Sequence, residues 1–227
     1  MNIRPDQIWT SAFNEQPTVQ QGFDRSRTIR FYDTTLRDGE QSTGVCFTAD
    51  EKFEIACKLA ELGVGRIESG FPRVSDEDTR AVKRILEAKL SSEIWGFARC
   101  LQADIDAHVE LGTEFLLCEI TTSDMKMKAF GFTREKVMGN VVNSVKYAKD
   151  KGIKKVNFFA IDSTRSDLGY LRDIYGAALQ AGADEISMVD TIGACAPETA
   201  EYLIRQVRSW FGKLAARISE PVARAAL

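Results

Sequence analysis

The sequence predicts an α/β fold of the (β/α)8 TIM-barrel type, with about six β-α units present and strands 7 and 8 missing. Three observations carry this. Strand-like and helix-like segments alternate from Thr28 onward, at intervals of roughly 20–40 residues, which is the rhythm of a parallel sheet. Polar residues recur just after the strands, at Asp38, Glu68, Arg99, Thr121, Asp162 and Asp190-Thr191. A (β/α)8 barrel builds its site at that end. The competing architecture is a doubly wound open sheet, and no Gly-x-Gly-x-x-Gly loop follows the first strand to support it.

The elements follow in order. Residues 1–27 are polar and irregular, with Pro5, Pro17 and Gly22. They read as an N-terminal extension whose Trp9 and Phe13 could dock on a surface. The first strand is predicted over Ile29–Asp33. The first helix starts at Thr48-Ala49-Asp50-Glu51, a capping box in which Thr48 and Glu51 satisfy each other's free backbone donors. Its apolar stripe holds Phe53, Ala56, Leu59, Ala60 and Leu62, and Gly63 ends it. Val64–Ser69 is the second strand, closed by Gly70-Phe71-Pro72, and a helix follows Ser75 with Ala81, Val82, Ile85 and Leu86 inward. Glu93–Cys100 is the third strand, followed by a helix from Ala103 to Leu111. Glu114–Thr121 is the fourth, followed by a helix from Thr133 to Lys151-Gly152. Lys155–Ile161 is the fifth, with a helix over Leu168–Ala181, and Glu185–Asp190 is the sixth. The last helix opens with Pro197, whose missing donor costs nothing in a first turn, and runs to Phe211.

At 227 residues the chain is long enough to bury a sizeable core, and 44% hydrophobic with 28% charged residues describes a soluble protein. A net charge of −3 gives no bulk attraction to nucleic acid or acidic membranes. The absence of a long apolar run or a signal-peptide region points to a cytoplasmic protein without a membrane partner. Cys46, Cys57, Cys100, Cys118 and Cys195 form no Cys-x-x-Cys pair and are expected to be reduced, with Cys100, Cys118 and Cys195 as small buried hydrophobes. The single histidine, His108, lies in the third helix beside Asp106 and Glu110 and is expected at the surface.

The chemistry concentrates in Tyr32-Asp33-Thr34-Thr35-Leu36-Arg37-Asp38-Gly39-Glu40-Gln41. A guanidinium and carboxylates at the end of a strand can hold a negative substrate oxygen beside a cation. This run resembles the signature of the 2-isopropylmalate synthase and homocitrate synthase family, Arg-Asp-Glu-type TIM-barrel synthases and lyases that depend on a metal. The resemblance continues through Arg66-Ile67-Glu68-Ser69-Gly70-Phe71-Pro72, Thr121-Thr122-Ser123-Asp124, Asp162-Ser163-Thr164-Arg165 and Asp190-Thr191-Ile192-Gly193, and covers residues 28–212.

The resemblance implies an acyltransferase that condenses acetyl-CoA or another acyl-CoA with a 2-oxo acid and hydrolyses the thioester, as in leucine and related biosynthesis. It implies Asp38 as a ligand of a divalent metal (Zn, Mn or Mg). Arg37 would neutralise oxyanion charge, Gln41 and Glu68 would line the substrate pocket, and Thr191 would bind the 2-oxo acid carboxylate. Arg37 and Glu68 are its catalytic candidates. Other polar residues have structural readings: Asp33 braces the turn, Arg99 and Arg165 pair with acidic neighbours, and Gly39 and Gly193 serve tight turns. Glu40 is either a brace for Arg37 or a reactant.

Two departures stand against the family pattern. The fifth strand carries Phe159 and Ile161 where the family places a small polar residue and a glutamate. The His-x-His metal ligands of the seventh strand are absent, and residues 213–227 form a divergent tail after the catalytic segment 28–212. Six strands would leave open edges, so a complementing chain or a homodimer is an expected partner, and little turnover is expected of the chain alone. A premature stop or an altered reading frame would account for the tail. Two alternatives remain: a lyase or aldolase resembling 3-hydroxy-3-methylglutaryl-CoA lyase, and a non-catalytic fragment or assembly subunit.

Overall fold

A computed structural model describes residues 11–21 and 28–211. Trp9 and the tail expected over 213–227 lie outside the described residues. The chain divides at Arg30 into two units. In the first, Ser11 caps a 3-10 turn over Ala12–Glu15, and Pro17 opens a single helical turn to Gln20. Phe13 there is 77% exposed.

The second unit holds six parallel strands in sequential order: β1 (Tyr32–Asp33), β2 (Arg66–Glu68), β3 (Glu93–Arg99), β4 (Phe115–Thr121), β5 (Lys155–Ile161) and β6 (Glu185–Met188). Between and after them run α1 (Ala49–Leu62), α2 (Asp76–Glu87), α3 (Gln102–Glu110), α4 (Asp124–Ala129), α5 (Arg134–Asp150), α6 (Leu168–Ala181) and α7 (Pro197–Phe211). Strand-helix alternation with every crossover returning to a parallel neighbour is the TIM-barrel pattern. The six units of the described residues make up part of a barrel of that type.

Local signals set the helix ends as the sequence predicts. Thr48 and Glu51 form the capping box of α1, and Gly63 ends it at φ 89°, a left-handed position that a side chain would strain. Ser75, Thr133 and Asp167 cap α2, α5 and α6. The short helix α4 was not foreseen. Ser123 caps it, and its six residues are too few to show a period.

Strand ends differ from expectation where side chains replace the ladder. β6 stops at Met188 rather than Asp190 because Ser163 Oγ takes over the backbone of Val189, accepting from its N–H at 2.6 Å and donating to its oxygen at 3.2 Å. β1 is shorter than Ile29–Asp33. Its pairing begins where Arg66 N donates to Phe31 O at 3.2 Å, and Ile29 is 80% exposed.

Side chains alternate between the two faces of the sheet. Leu116, Cys118 and Ile120 of β4, with Val156, Phe158 and Ala160 of β5, pack outward against Val137, Val141 and Val145 of α5 and Leu171 and Ile174 of α6. A smaller cluster joins Leu36, Ile67 and Ile94 to Ala56 of α1 and Ile85 of α2. Cys100 and Cys118 are buried as expected, whereas Cys195 is only half-buried.

The inner face is polar at its floor. Arg66 of β2 binds Glu185 of β6 through both Nη atoms at 2.8 and 2.9 Å, and its Nε lies 2.9 Å from Glu93. Lys155 Nζ donates to Glu93 at 2.6 Å. In a flat sheet β2 and β6 would stand about 19 Å apart, at about 4.8 Å per strand. The Arg66–Glu185 contact therefore crosses the concave interior of a curled sheet.

His108 corrects an expectation. It is fully buried, not at the surface, with Nδ1 3.1 Å from Thr113 Oγ1 and Nε2 3.0 Å from Phe97 O. Gly96 of β3 makes room for its ring, since a Cβ there would overlap the imidazole. Burial pushes its pKa down to about 4, against the pull of Phe97 O and Asp104.

Candidate active site at the carboxyl ends of the strands

Arg37 stands at the centre. The turn after β1 is wound by Asp33, which accepts from Thr35 N at 2.9 Å and from Thr35 Oγ1 at 3.2 Å, as the sequence predicts. The amides of Arg37, Asp38 and Gly39 all donate to Thr34 O, at 2.8–3.1 Å. This coil turns Leu36 into the core and Arg37 into the barrel mouth.

The Arg37 guanidinium lies 4.5 Å from the centroid of Phe97 and 5.9 Å from that of Phe159. Phe71, Phe97 and Phe159 meet edge-on, with centroids 6.1 and 6.4 Å apart, and form an aromatic shelf beneath it. Phe159 is one of the two departures in β5. Its physical effect is a second face for the arginine to lie on.

Two carboxylates hold Arg37. Its Nε donates to Glu68, which is 1% exposed, and its Nη1 donates at 2.9 Å to Asp38, which is 62% exposed. Burial opposes the charge on Arg37, but Glu68 and then Asp38 outweigh it and hold its pKa above the ordinary arginine value. The site is asymmetric: one carboxylate is sealed into the wall and the other faces solvent.

Of the sequence-predicted site residues, the structure brings Arg37, Asp38 and Glu68 together. Gln41 ends the 3-10 turn Gly39–Gln41 and is exposed. Thr191 is also exposed, and its Oγ1 accepts from Asp162 N at 2.9 Å. Glu40 does not brace Arg37. It accepts from Phe47 N at 3.1 Å and from Lys52, whose ammonium also binds Asp78. Arg99 and Arg165 are paired structurally, with Asp104 and Asp162.

Asp162 ties three strand ends together from a left-handed backbone position at φ 62°. Its carboxylate accepts from Arg165 at 2.7 and 2.8 Å and from Ser123. Burial opposes its charge, but Arg165 and Ser123 outweigh it and keep its pKa below the usual carboxylate value. Asp190 organises the loop after β6, accepting from Thr164 Oγ1 and Cys195 N at 2.9 Å each and from Ala194 N at 3.3 Å.

Sequence reasoning missed Glu119. It lies on β4 in register with Arg99 on one side and Phe159 on the other, on the face that carries the shelf. Burial pushes its carboxyl up to about 7, with Asp104 adding to the rise and Arg37, Arg99 and Lys126 working against it. The available signal was an acidic residue inside an otherwise apolar parallel strand. Two buried hydroxyls, Tyr32 Oη and Thr121 Oγ1, make no hydrogen bond of ordinary geometry among the described residues, and Tyr32 faces the Glu68 carboxylate. Burial, then the charge of Glu68, keeps the Tyr32 phenol protonated.

Asp38, the expected metal ligand, is joined by no others in the described residues. Among the described residues no three His, Cys, Asp or Glu side chains converge on a point. A divalent ion needs several such ligands, so the described residues do not by themselves fit the metal.

Fold and site together define a TIM-barrel-type protein with an arginine-carboxylate site at the carboxyl ends of its strands. Residues 28–217 match the HMGL-like family, and the chain belongs to that family. It is 44% identical over 181 residues to homocitrate synthase AksA of Methanothermobacter thermautotrophicus, covering 79% of this chain and 46% of that one. It is 40% identical over 181 residues to 2-isopropylmalate synthase of Methanocaldococcus jannaschii, covering 79% of this chain and 35% of that one. The chain thus spans less than half the length of these curated relatives. Among solved structures, HMG-CoA lyase of Bacillus subtilis superposes with a TM-score of 0.71 at 17% identity, over 81% of this chain and 65% of that one. At that identity the likeness is one of fold.

Proposed function

We propose that this chain carries the catalytic core of an acyl-CoA:2-oxo acid C-acyltransferase. The reaction that core serves is condensation of acetyl-CoA, or another acyl-CoA, with a 2-oxo acid and hydrolysis of the thioester, in amino-acid or carboxylic-acid biosynthesis such as that of leucine, with little turnover expected of this chain alone. The observation that carries this reading is the 40–44% identity to synthases named for that chemistry.

The geometry suits it. Condensation turns the ketone oxygen of the 2-oxo acid into an alkoxide, and a fixed guanidinium stabilises that charge as it develops. Glu68 and the aromatic shelf prevent Arg37 from turning away, so little reorganisation accompanies the reaction. Nε and Nη1 are engaged by carboxylates, which leaves Nη2 for a substrate oxygen. Gln41 and Thr191 are the contacts proposed for the 2-oxo acid, and Asp38 is the proposed contribution to a divalent cation. The small molecules are the proposed ligands. No described helix is long and apolar enough to cross a membrane. The lyase alternative is supported by fold likeness alone.

CoA release from the purified chain, assayed with acetyl-CoA, a panel of 2-oxo acids and added Zn, Mn or Mg, tests the reading. Release should require both substrates and fall by at least about 100-fold in Arg37→Ala, the scale for loss of one oxyanion-stabilising donor. No release, together with no calorimetric binding of any 2-oxo acid, would overturn it.

A further inference from the structure

Glu119 is a carboxylate without an assigned task. It sits on the inner face of β4, between Arg99 of β3 and Phe159 of β5 in the sheet register. Phe159 in turn lies under the Arg37 guanidinium. Glu119 thus borders the position where a ligand of Arg37 would rest.

No hydrogen bond or ion pair engages the Glu119 side chain among the described residues. The arginines around it are committed elsewhere, Arg37 to Glu68 and Asp38 and Arg99 to Asp104. A structural carboxylate on a strand of this kind would be paired, as Glu93 and Glu185 are at the floor of the same interior. Two residues further along β4, on the same face, Thr121 Oγ1 is buried and also unpartnered. Thr121 lacks the partner a bound ligand would supply, and Glu119, half-buried, stands unpaired beside it.

We infer that Glu119 is the proton-transfer residue of this site, taking a proton from the methyl carbon of the acyl thioester. This rests on the synthase reading above. The C–H electron pair forms the new C–C bond to the ketone carbon of the 2-oxo acid. The ketone π pair moves to oxygen as an alkoxide beside Arg37, and the proton stays on the Glu119 carboxyl. Hydrolysis of the thioester then consumes one water and releases CoA as its thiol.

The groups facing Glu119 set its working range. Arg37 from the loop after β1, Arg99 from β3 and Lys126 from α4 favour the carboxylate, while burial and Asp104 of α3 favour the acid. Balance near neutrality suits a general base, which must be ionised to accept a proton and basic enough to want it. The rate should therefore rise with pH through about 7.

The experiment follows deuterium wash-in from D2O into the methyl group of acetyl-CoA, alongside CoA release, using the whole chain on both sides of neutral pH. Glu119→Gln, nearly isosteric, should lower both by about 100-fold or more while keeping the circular dichroism spectrum and the 2-oxo acid affinity of the parent. Glu119→Asp should restore part of the rate with a displaced pH profile. Wild-type rates and an unchanged profile in Glu119→Gln would overturn the assignment.

If the wild-type chain neither exchanges nor condenses, the rate comparison is silent, and the synthase reading fails separately only when no 2-oxo acid binds either. Glu119 is then judged by infrared difference spectra. A carboxyl band that titrates near neutrality, is absent from Glu119→Gln and shifts on adding acetyl-CoA supports its role. A missing band, or one insensitive to the thioester, refutes it.

Discussion

Gly96 and His108 are one feature written at two positions. The imidazole fits because residue 96 has no side chain, and its two nitrogens are satisfied by Thr113 and Phe97 O. Gly96→Ala should destabilise the fold by about 2–3 kcal/mol, the scale of overpacking in a core, read as a lower urea midpoint. The pH dependence follows from the depressed pKa of His108. The unfolded chain takes up the proton near 6.5 while the folded chain resists until about 4. Stability is thus fully present above 6.5 and is lost as the pH falls toward 4. Thermal melts over that interval should show the loss, and His108→Gln should flatten it. Glu119 has the opposite sign. Its folded pKa, near 7, is raised from 4.5, so its contribution falls as pH rises between those values. Glu119→Gln should melt higher than wild type at alkaline pH and gain little at acid pH. A site residue that costs stability in its working form is expected where function, rather than packing, selects the side chain.

At the scale of elements, Lys52 of α1 connects the parts that place the arginine loop. Its side chain is 2% exposed and binds Glu40 of that loop and Asp78 in the first turn of α2. Burial opposes its charge, and the two carboxylates outweigh it, raising its pKa. Its contribution is therefore complete at neutral pH and is lost only as the pH rises past the ordinary lysine range. Lys52→Met should cost about 3 kcal/mol or more, because it strands two partly buried carboxylates. Adding Glu40→Gln and Asp78→Asn to Lys52→Met should recover part of that in a denaturation series. The sequence makes the helices on either side legible through Thr48, Glu51, Gly63 and Ser75, all local signals. It does not show that Lys52 points inward, because a lysine in an amphipathic helix ordinarily marks the solvated face.

At the scale of the whole molecule, the Arg66–Glu185 pair joins β2 to β6 across the interior. Arg66→Ala should destabilise the chain by about 3–5 kcal/mol, since it leaves a buried carboxylate unpaired. The double change Arg66→Met with Glu185→Leu should cost less than that single change, which chemical denaturation of the four-member cycle measures. Barrel-type architecture, strand order and the Arg37–Asp38 loop were legible because β-α alternation and capping residues lie close together in sequence. Glu119 was not, because a lone acid within a strand reads as an exception until the strands on either side are known. His108 was misplaced for the related reason that its neighbours Asp106 and Glu110 suggested a surface, whereas the glycine that receives it lies on β3.

The sequence by itself determined the order of strands and helices, the ends of the main helices, and the placement of a guanidinium beside a carboxylate at the first strand's end. Each of these is fixed by residues a few positions apart. Only the tertiary structure decided that Glu68 locks Arg37, that Phe97 and Phe159 lie beneath it, and that Glu119 stands unpaired beside them. Those relations depend on the register of parallel strands separated by whole helices and on the curl that brings their inner faces together.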